Sequence, residues 1–429
     1  MDKINIALLG LGNVGGGVFE ILKTNIEEIQ ERSGCDIQIS KILVRNPNKK
    51  RCVDVPEELI TTNPDDIFND ESIKIVVEVM GGIDPAKEYM IKAMKKKKHV
   101  VTANKLVIAT TGAELIRTAK EEGVRFCYEA SVAGGIPIIN GINESLTANK
   151  IEEIIGIING TTNYILTKMY LDNMDFGTAL KEAQDKGYAE ADPTSDVEGF
   201  DAVYKLSILT YLAFGKLVNP DLVYREGISK IDAMDIEYAK EFGYVIKLLA
   251  IVKDDNGVLE LRVHPTMIPE RHPLANVNDS FNAILIKGNA VGELMMYGRG
   301  AGDLPTGSAV VADVISIVRN VNDPIFKLSE SKSGNLKRIR KMEETTSEYY
   351  IRITVKDEPG VLGRISSILG AHNVSLLSVI QKGKRQEYVT LVFVTHKTLE
   401  GNINKSIEEI NSLSFVDKVE NIIRVEKME

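Results

Sequence analysis

The sequence predicts an α/β protein with three successive domains, and three observations support this fold class. Residues 4–9 form an apolar run typical of a buried strand, and a glycine-rich turn and a helical pattern follow it. From about residue 138 the regular alternation of strands and helices changes to a mixed pattern. Residues 348–429 show the order βαββαβ. We therefore expect a doubly wound parallel sheet, an α+β domain with a mixed sheet, and a small C-terminal module.

Composition limits the class of protein. The 429 residues suffice for two or three domains, and the net charge of −9 disfavours non-specific nucleic-acid binding. Three scattered cysteines, Cys35, Cys52 and Cys127, suit a reducing compartment better than a disulfide framework or a zinc site. Neither a signal peptide nor a membrane-spanning run is expected. The sequence therefore predicts a cytoplasmic protein without a membrane or nucleic-acid partner.

The turn after the first strand has the spacing GxGxxG. Between a strand and a helix, this spacing is typical of a Rossmann-type domain: the glycines allow a tight turn, close approach of a pyrophosphate and close packing of the helix. The pyrophosphate then lies at the helix N-terminus. We predict an NAD(P) site that involves Gly10, Gly12, Asn13, Val14 and Gly15.

The second strand, residues 37–44, should end near the cofactor ribose. An NAD-preferring site usually has an acidic residue there, whereas this chain has Arg45, followed by Lys49, Lys50 and Arg51. A cation at Arg45 favours the 2′-phosphate of NADP. A solvated basic loop and the use of both cofactors are the alternatives.

Two further strands are expected to end at the same edge of the sheet, with polar residues at their C-terminal ends. Residues 73–80 are an apolar run broken by Glu78, and residues 99–105 end in Thr102, Asn104 and Lys105. Ligands of such sheets lie beyond the C-terminal ends of the strands. We therefore predict Thr102 and Lys105 near the cofactor and substrate, with the next helix starting near residue 111.

The mixed region begins with a predicted strand at residues 151–158, and Gly160-Thr161-Thr162-Asn163 is expected to cap a helix from Tyr164. Farther on, Ser195-Asp196-Val197-Glu198 fits a capping box, which predicts one helix from Asp196 to Phe214. Asp201 and Lys205 share a mostly apolar face of that helix. Lys205 is either a lysine paired with Asp201 or a residue used in chemistry.

Several motifs together resemble homoserine dehydrogenase over most of residues 1–320: GLGNVG, TANK, YEASVAGGIPII, GIINGTTNYIL and DKGYAEADPTSDVEGFDAVYKL. The resemblance implies reversible NAD(P)-dependent reduction of L-aspartate 4-semialdehyde to L-homoserine, a step of threonine, methionine and isoleucine biosynthesis. It also implies that the mixed sheet builds the substrate pocket and the interface of a homodimer or homotetramer.

The resemblance also assigns roles to residues of this sequence. It implies that Lys205 is the proton donor and that Lys105 orients the substrate or shares the acid role. Glu190 would accept the substrate ammonium, Asp196 and Asp201 would be further polar residues of the pocket, and Asp201 would orient Lys205.

Two further sets of residues follow from the same resemblance. Gly187 and Gly302 would contact the cofactor, with residues 298–318 closing the Rossmann-type domain. A structural sodium ion, or another monovalent cation, would be bound by the Glu129 carboxylate and backbone carbonyls. This cation set comprises Glu129, Val132, Gly134 and Ile136.

The C-terminal residues resemble an ACT domain across its full length, with a DxPGVL motif at 357–362. The resemblance implies binding of an amino-acid effector, with threonine as the natural candidate, or an assembly role without a ligand. The expected effector contacts are Pro359, Gly360, Val361, Leu362 and Asn373. The predicted domains are 1–135 for the cofactor (completed by about 298–318), 136–297 for substrate and dimerisation, a linker at 319–347, and the ACT domain at 348–429.

Two other functions compete with this interpretation. Aspartate-semialdehyde dehydrogenase requires a nucleophilic cysteine, for which Cys127 is in mid-strand without an evident acid–base partner. A non-enzymatic nucleotide-binding regulator would not need Lys105, Glu190, Asp201 and Lys205 together.

Overall fold

The computed structural model describes residues 2–320, 338–382 and 387–427. These residues form two compact units. Unit one contains the described residues up to Ile151, Tyr204–Leu222 and the described residues from Asn282 to Asn320. Unit two contains Glu152–Val203, Val223–Phe281 and the described residues from Arg338 onward. Within the described ranges, no helix is both long and apolar enough to cross a bilayer.

The first part of the chain alternates strands and helices. Its elements are β1 Asp2–Leu9, α1 Asn13–Thr24, α2 Ile26–Ser33, β2 Cys35–Leu43, β3 Ile60–Thr61, α3 Asp65–Phe68, β4 Ile73–Glu78, α4 Ala86–Lys95, β5 His99–Thr102, α5 Lys105–Glu122, β6 Phe126–Cys127 and α6 Ile138–Asn140.

The middle part is mixed. Its elements are β7 Ile151–Ile157, α7 Gly160–Leu171, α8 Phe176–Asp185, α9 Thr194–Val197, α10 Phe200–Phe214, β8 Tyr224–Arg225, α11 Ala233–Glu241, β9 Tyr244–Asp255, β10 Val258–Pro269, β11 Phe281–Gly288, β12 Gly292–Arg299 and α12 Asp303–Arg319. The C-terminal part contains β13 Arg338–Ile339, β14 Thr346–Lys356, α13 Val361–Ala371, β15 Leu376–Gln381, β16 Tyr388–Thr395, β17 Thr398–Leu399, α14 Glu400–Asn411 and β18 Val416–Val425.

Unit one is built on a parallel sheet with the strand order β3-β2-β1-β4-β5-β6. The order reverses beside β1, which pairs with both β2 and β4, so the predicted doubly wound sheet is confirmed. Buried residues of α12, such as Val310 and Val314, belong to the same apolar cluster as Ile6 and Leu8 of β1. The distant helix α12 therefore completes the core of the first sheet.

Unit two contains antiparallel strands that continue into the C-terminal module. The long strands β9 and β10 form a hairpin, and β7 pairs with β9. At its other edge β10 pairs with β18, where Thr266 and Met267 face Arg424 and Val425 in parallel register. The sheet then runs through β14, β16 and β15. The C-terminal order β14-α13-β15-β16-α14-β18, interrupted only by the short β17, confirms the expected βαββαβ arrangement.

Buried charges also join the C-terminal strands to the rest of unit two. Arg352 Nε of β14 donates to Asp235 Oδ1 of α11 at 2.7 Å, and Tyr350 Oη donates to the same oxygen at 3.1 Å. Asn421 Nδ2 of β18 donates to Asp235 Oδ2 at 2.8 Å. Arg352 Nη2 and Asp232 N also donate to Oδ2, each at 3.2 Å. Because Asp235 is fully buried, these donors together offset the cost of burying its carboxylate.

Three expectations about local structure were wrong. The helix expected near residue 111 begins at Lys105, because the Asn104 side chain caps it by accepting from Val107 N. The helix expected from Tyr164 begins at Gly160, with Asn159 as its cap. The single helix expected from Asp196 is two helices, α9 and α10, since Gly199 between them has a φ of +81°.

The predicted linker at 319–347 is only partly a linker. Residues 321–337 lie outside the described residues, and Arg319 is still helical. Arg338 and Ile339 form β13, which pairs with Val258 and Leu259 of β10. The other predicted domain boundaries remain predictions.

We expect Asp235→Ala to destabilise unit two strongly. Removal of the carboxylate leaves the buried Arg352 guanidinium without its main partner, and losses of this kind cost about 3–5 kcal/mol. The free energy of unfolding in urea, followed by circular dichroism, measures the loss. Asp185→Ala is the control, because its ion pair with Lys181 is exposed and its removal should change little. A loss no larger than that of Asp185→Ala would contradict the importance of this buried pair.

Candidate active site

The turn between β1 and α1 in unit one has the geometry of a phosphate cradle. Gly10 has a φ of +107°, and a Cβ on it would be 2.8 Å from Val79 O. A Cβ on Gly15 would be 2.5 Å from Gly10 O, so neither position accepts a side chain. By contrast, no atom lies within 4 Å of a Cβ on Gly12, and α1 has no side-chain cap. The N-terminal N–H groups of α1, including those of Asn13 and Val14, can therefore serve an anion.

The start of α12 lies against α1 within the same unit. A Cβ on Gly17 would be 2.2 Å from Asp303 O, and one on Gly307 would be 2.8 Å from Gly17 C. Gly302, the residue before α12, has a φ of +127°. The backbone contact between these two helices places the predicted cofactor residue Gly302 close to the glycine-rich turn.

The residues that follow β2 include the expected cation, Arg45. None of residues 44–50 is acidic. Arg45 is exposed directly after this strand. The loop that follows is folded around Arg51, whose guanidinium donates to the carbonyls of Asn46, Pro47 and Lys49 at 2.6–2.8 Å. Arg51 thus has a structural role, and the contact of Arg45 with a cofactor phosphate stays a prediction.

The ends of β4 and β5 are tied together by Glu78. Thr102 Oγ1 donates to Glu78 Oε2 at 2.6 Å, and Met80 N donates to Glu78 Oε1 at 2.8 Å. Burial raises the pKa of the Glu78 carboxyl, although both hydrogen bonds oppose the shift. Because the Thr102 hydroxyl is used in this way, a cofactor contact of Thr102 would come from its backbone. Lys105 is the first residue of α5, directly after the Asn104 cap.

In unit two, the N-terminus of α7 gathers the predicted substrate residues. Asn159 Nδ2 donates to Asp196 Oδ1 at 2.7 Å and to Asp201 Oδ2 at 2.9 Å. Thr161 Oγ1 donates to Tyr188 O at 2.6 Å, in the loop that contains Gly187 and Glu190. The structure therefore brings Asp196 and Asp201 together, while Glu190 is exposed and Gly187 has a φ of +75°.

Close packing within unit two also explains the break between α9 and α10. A Cβ on Gly227 would be 2.4 Å from Val197 O, and Ile228 N donates to this carbonyl at 2.8 Å. Glu198, expected in a capping box, instead accepts from Ser229 Oγ at 2.8 Å. Helix α10 then carries Asp201, which is 2% exposed, and Lys205, which is 8% exposed and lies one helical turn later.

The expected cation site at Glu129 stays a prediction, and the structure shows the hydrogen bonds around it. Its carboxylate accepts from Ile139 N at 2.8 Å and from Asn140 N at 2.7 Å, one donor at each oxygen. Each oxygen keeps a second lone pair that could bind a cation. Ala133 and Gly134 in the following turn have φ values of +55° and +52°. The predicted ligand set therefore stays the Glu129 carboxylate with main-chain carbonyl oxygens of this buried turn.

Asp313 of α12 is a buried acid that the sequence did not indicate. It accepts from Glu129 N at 2.9 Å. Burial raises the pKa of the Asp313 carboxyl from 3.8 to about 8; the bond from Glu129 N–H opposes the shift, and the Glu129 carboxyl adds to it. Asp313 lies on the buried face of α12 with Val310, Val314 and Ile317, at the three- and four-residue spacing of a helix. An acidic residue among these apolar positions was the one signal in the sequence.

Asn163 and Lys247 form a second unexpected cluster, in unit two. The Asn163 amide donates to Val277 O and Phe281 O at 3.0 Å, and Lys247 Nζ donates to Asn163 Oδ1 at 3.1 Å and to Val277 O at 2.6 Å. Burial lowers the pKa of Lys247 to about 7. Asn163, expected as a helix cap, therefore holds the 277–281 loop instead.

The expected effector residues lie at the start of α13 and after its end. Gly360 precedes α13 with a φ of +92°, and Asn373 has a φ of +59°. Pro359, Gly360 and Leu362 are exposed, whereas Val361 is buried in the core of the C-terminal module. Val361 thus supports the loop rather than facing solvent.

Comparison with protein families gives three matches along the chain. Residues 10–129 match the NAD-binding domain of homoserine dehydrogenase, residues 137–315 match homoserine dehydrogenase itself, and residues 349–415 match the ACT domain.

Similar whole proteins carry the same name. The chain is 42% identical to the homoserine dehydrogenase of Bacillus subtilis, with 99% of both chains covered, and 45% identical to that of Neisseria gonorrhoeae, with 100% of both covered. A crystal structure of a homoserine dehydrogenase from Thiobacillus denitrificans superposes with a TM-score of 0.93 at 44% identity, covering 100% of this chain and 99% of that one. A hyperthermophilic archaeal homoserine dehydrogenase in complex with NADPH has a TM-score of 0.62 at 28% identity and covers 73% of this chain and 97% of its own.

We expect Asp313→Asn to flatten the pH dependence of stability. Between the ordinary carboxyl value of about 4 and the folded value of about 8, the folded chain binds one proton more than the unfolded chain. Stability of the wild type therefore falls as the pH rises through this range, by up to about 1.4 kcal/mol per pH unit. Asparagine still accepts from Glu129 N but does not titrate, so this contribution disappears. Urea unfolding between pH 5 and 8 measures the slope.

The control for this experiment is Asp54→Asn, which changes an exposed carboxylate of the same unit. It should leave the slope unchanged. Equal slopes for wild type and Asp313→Asn would show that Asp313 is not protonated in the folded chain.

Proposed function

The chain belongs to the homoserine dehydrogenase family, and we propose on that basis that it catalyses the reversible NAD(P)-dependent reduction of L-aspartate 4-semialdehyde to L-homoserine. The observation that carries this proposal most directly is the polar pair on α10: Asp201 and Lys205 are both buried and lie one helical turn apart. Buried charged residues are costly and seldom persist without a structural or chemical role.

The reaction requires a proton at oxygen when a hydride reaches the aldehyde carbon. The bound nicotinamide supplies the hydride. The Lys205 ammonium gives its proton to the oxygen, which becomes the hydroxyl of homoserine, and takes it back in the reverse direction. Asp201 orients Lys205. Lys105, at the start of α5, orients the substrate or shares the acid role.

The cofactor is a nicotinamide dinucleotide, and the glycine cradle fits it. The open space at Gly12 and the uncapped N-terminus of α1 suit a pyrophosphate held by Gly10, Gly12, Asn13, Val14 and Gly15. Arg45 would bind the 2′-phosphate of NADP. Thr102 (through its backbone), Lys105, Gly187 and Gly302 complete the proposed cofactor set.

The amino-acid part of the substrate needs an acceptor for its ammonium. We assign this role to Glu190, with Asp196 and Asp201 as further polar residues. The hydrogen bond from Thr161 to Tyr188 O supports the assignment, because it fixes the loop before Glu190 at the N-terminus of α7. The exposed carboxylate of Glu190 can accept a ligand without losing a buried partner.

A monovalent cation such as sodium would be held by the Glu129 carboxylate and by the main-chain oxygens of Val132, Gly134 and Ile136. Hard cations prefer oxygen ligands, and the turn is buried at these four residues. The cation would stabilise the turn and would take no part in the proton transfer.

The remaining assignments concern regulation and assembly. We propose that the ACT domain senses an amino acid, with threonine as the candidate and Pro359, Gly360, Leu362 and Asn373 as contacts. Val361 supports that loop from the core. The protein would act in the cytoplasm as a homodimer or homotetramer.

A thiol mechanism is disfavoured. Burial raises the pKa of the Cys127 thiol well above its usual range, and the nearby Asp313 carboxyl adds to the shift. A thiol that stays protonated is a poor nucleophile. The acyl chemistry of an aspartate-semialdehyde dehydrogenase would therefore lack its nucleophile at Cys127.

We expect the protein to reduce NADP or NAD when homoserine is added, measured as absorbance at the nicotinamide band. Lys205→Met should lower kcat by about 100- to 10,000-fold, the usual contribution of a positioned acid or base. Cofactor affinity, followed by nucleotide fluorescence, should stay unchanged. Lys181→Met is the control, because Lys181 is exposed and paired with Asp185.

The outcomes of this experiment separate two errors. Absence of turnover with both cofactors would overturn the proposed reaction. Near-normal kcat in Lys205→Met would keep the reaction but reassign the proton donor to Lys105 or water.

We expect Arg45→Ala to raise the KM for NADP by about tenfold to a hundredfold, the cost of a lost charge-assisted bond to phosphate, and to leave the KM for NAD nearly unchanged. Lys50→Ala is the control in the same exposed loop. Similar small effects of both substitutions on both cofactors would instead indicate a solvated basic loop without a specific role.

A further inference from the structure

We propose that Asn159 is a positioning residue that fixes Asp196 and Asp201 relative to each other. It lies between β7 and α7, and only 5% of it is exposed. A single amide group, Nδ2, donates one hydrogen to Asp196 Oδ1 at 2.7 Å and the other to Asp201 Oδ2 at 2.9 Å. This inference rests on the proposed function, since it assigns Asn159 to the substrate side of that reaction.

The other end of the same amide is also fully used. Asn159 Oδ1 accepts from Thr162 N at 2.8 Å and from Thr162 Oγ1 at 2.9 Å. Both donors and both acceptor sites of the amide are therefore satisfied. A flipped amide would place its NH₂ group against the Thr162 N–H and its oxygen against two carboxylates. Only one orientation fits, so the helix α7 fixes the direction of the two N–H bonds.

The chemistry at this point requires asparagine. Asp196 and Asp201 are held near one nitrogen atom, and their negative charges repel each other at this separation. Two N–H donors from one neutral group bind both carboxylates without adding a charge. Aspartate at 159 would cap α7 equally well but would add a third negative charge. Serine would also cap the helix but would lack the reach and the second donor.

Asn159 also links three separate elements of unit two. Asp196 belongs to α9 and Asp201 to α10, and the chain changes direction between them at Gly199, whose φ is +81°. The Asn159 amide bridges this junction and attaches it to α7. Loss of the amide would remove the hydrogen bonds that connect both carboxylates to one atom of the α7 cap.

The test compares Asn159→Ser with the wild type in two measurements. Serine keeps a cap for α7, so the amides of the first turn of α7 should stay protected in hydrogen–deuterium exchange. Peptides that cover residues 194–203 should exchange faster in the absence of any ligand. In kinetics, the KM for homoserine should rise by about tenfold to a hundredfold, as expected for lost charge-assisted hydrogen bonds, and the KM for the cofactor should stay the same.

Asp175→Ser is the matched control, because Asp175 caps α8 through Thr178 N and touches neither carboxylate. It should change neither the exchange of residues 194–203 nor the KM for homoserine. Asn159→Asp should show the same defects as Asn159→Ser or larger ones, since its added charge repels Asp196 and Asp201.

Each outcome decides the proposal. If Asn159→Ser changes exchange only in the first turn of α7, or not at all, Asn159 is a helix cap alone. If exchange at 194–203 increases but the wild type does not turn over homoserine, the proposed function fails and the positioning of the two aspartates stands. If the wild type is active and the variant has wild-type kinetic constants, the positioning role in this reaction is overturned.

Discussion

The cost of burying a carboxylate governs the local structure of both units. Glu78, Glu129 and Asp313 in unit one are each satisfied by backbone N–H groups, with the Thr102 hydroxyl added at Glu78. Asp201 and Asp235 in unit two receive side-chain amide donors from Asn159 and Asn421. A donor left unpaired or an acid left unsatisfied costs several kcal/mol, of order the net stability of a domain. The backbone around these acids is therefore fixed more tightly than apolar packing alone would require.

The fold class could be predicted from the sequence because it depends on strong local signals. The strand before Gly10, the GxGxxG spacing and the βαββαβ order all appear in neighbouring residues, and the structure contains each of them. The helix starts were less predictable. At α5 and α7 an asparagine cap decides the first residue, whereas the sequence pattern placed these starts near residues 111 and 164. At α10 the capping-box pattern was present, but packing of Gly227 on Val197 favours a break at Gly199.

The polar contacts of the site could not be predicted because they join residues far apart in the chain. Asn159 and Asp201 are 42 positions apart, and Glu129 and Asp313 are 184 apart. Nothing in a local pattern indicates that Asp313 faces Glu129, or that the Glu129 carboxylate accepts from Ile139 and Asn140. The sequence identified the residue types that the chemistry needs, such as Lys205 and Asp201. The residues that hold them in place became evident only from the packing.

The pairing of β18 with β10 has a consequence for any shorter form of this chain. A protein cut before β14 would lose the partner strand of Thr266 and Met267 and would present a bare strand edge to solvent. It would also leave Asp235 without Arg352 and Arg262 without Glu426. Such a fragment would tend to associate through the open edge. A stable shortened version would need substitutions at Asp235, at Arg262 and along the exposed edge of β10. The neighbouring strands therefore depend on the ACT domain for their own stability.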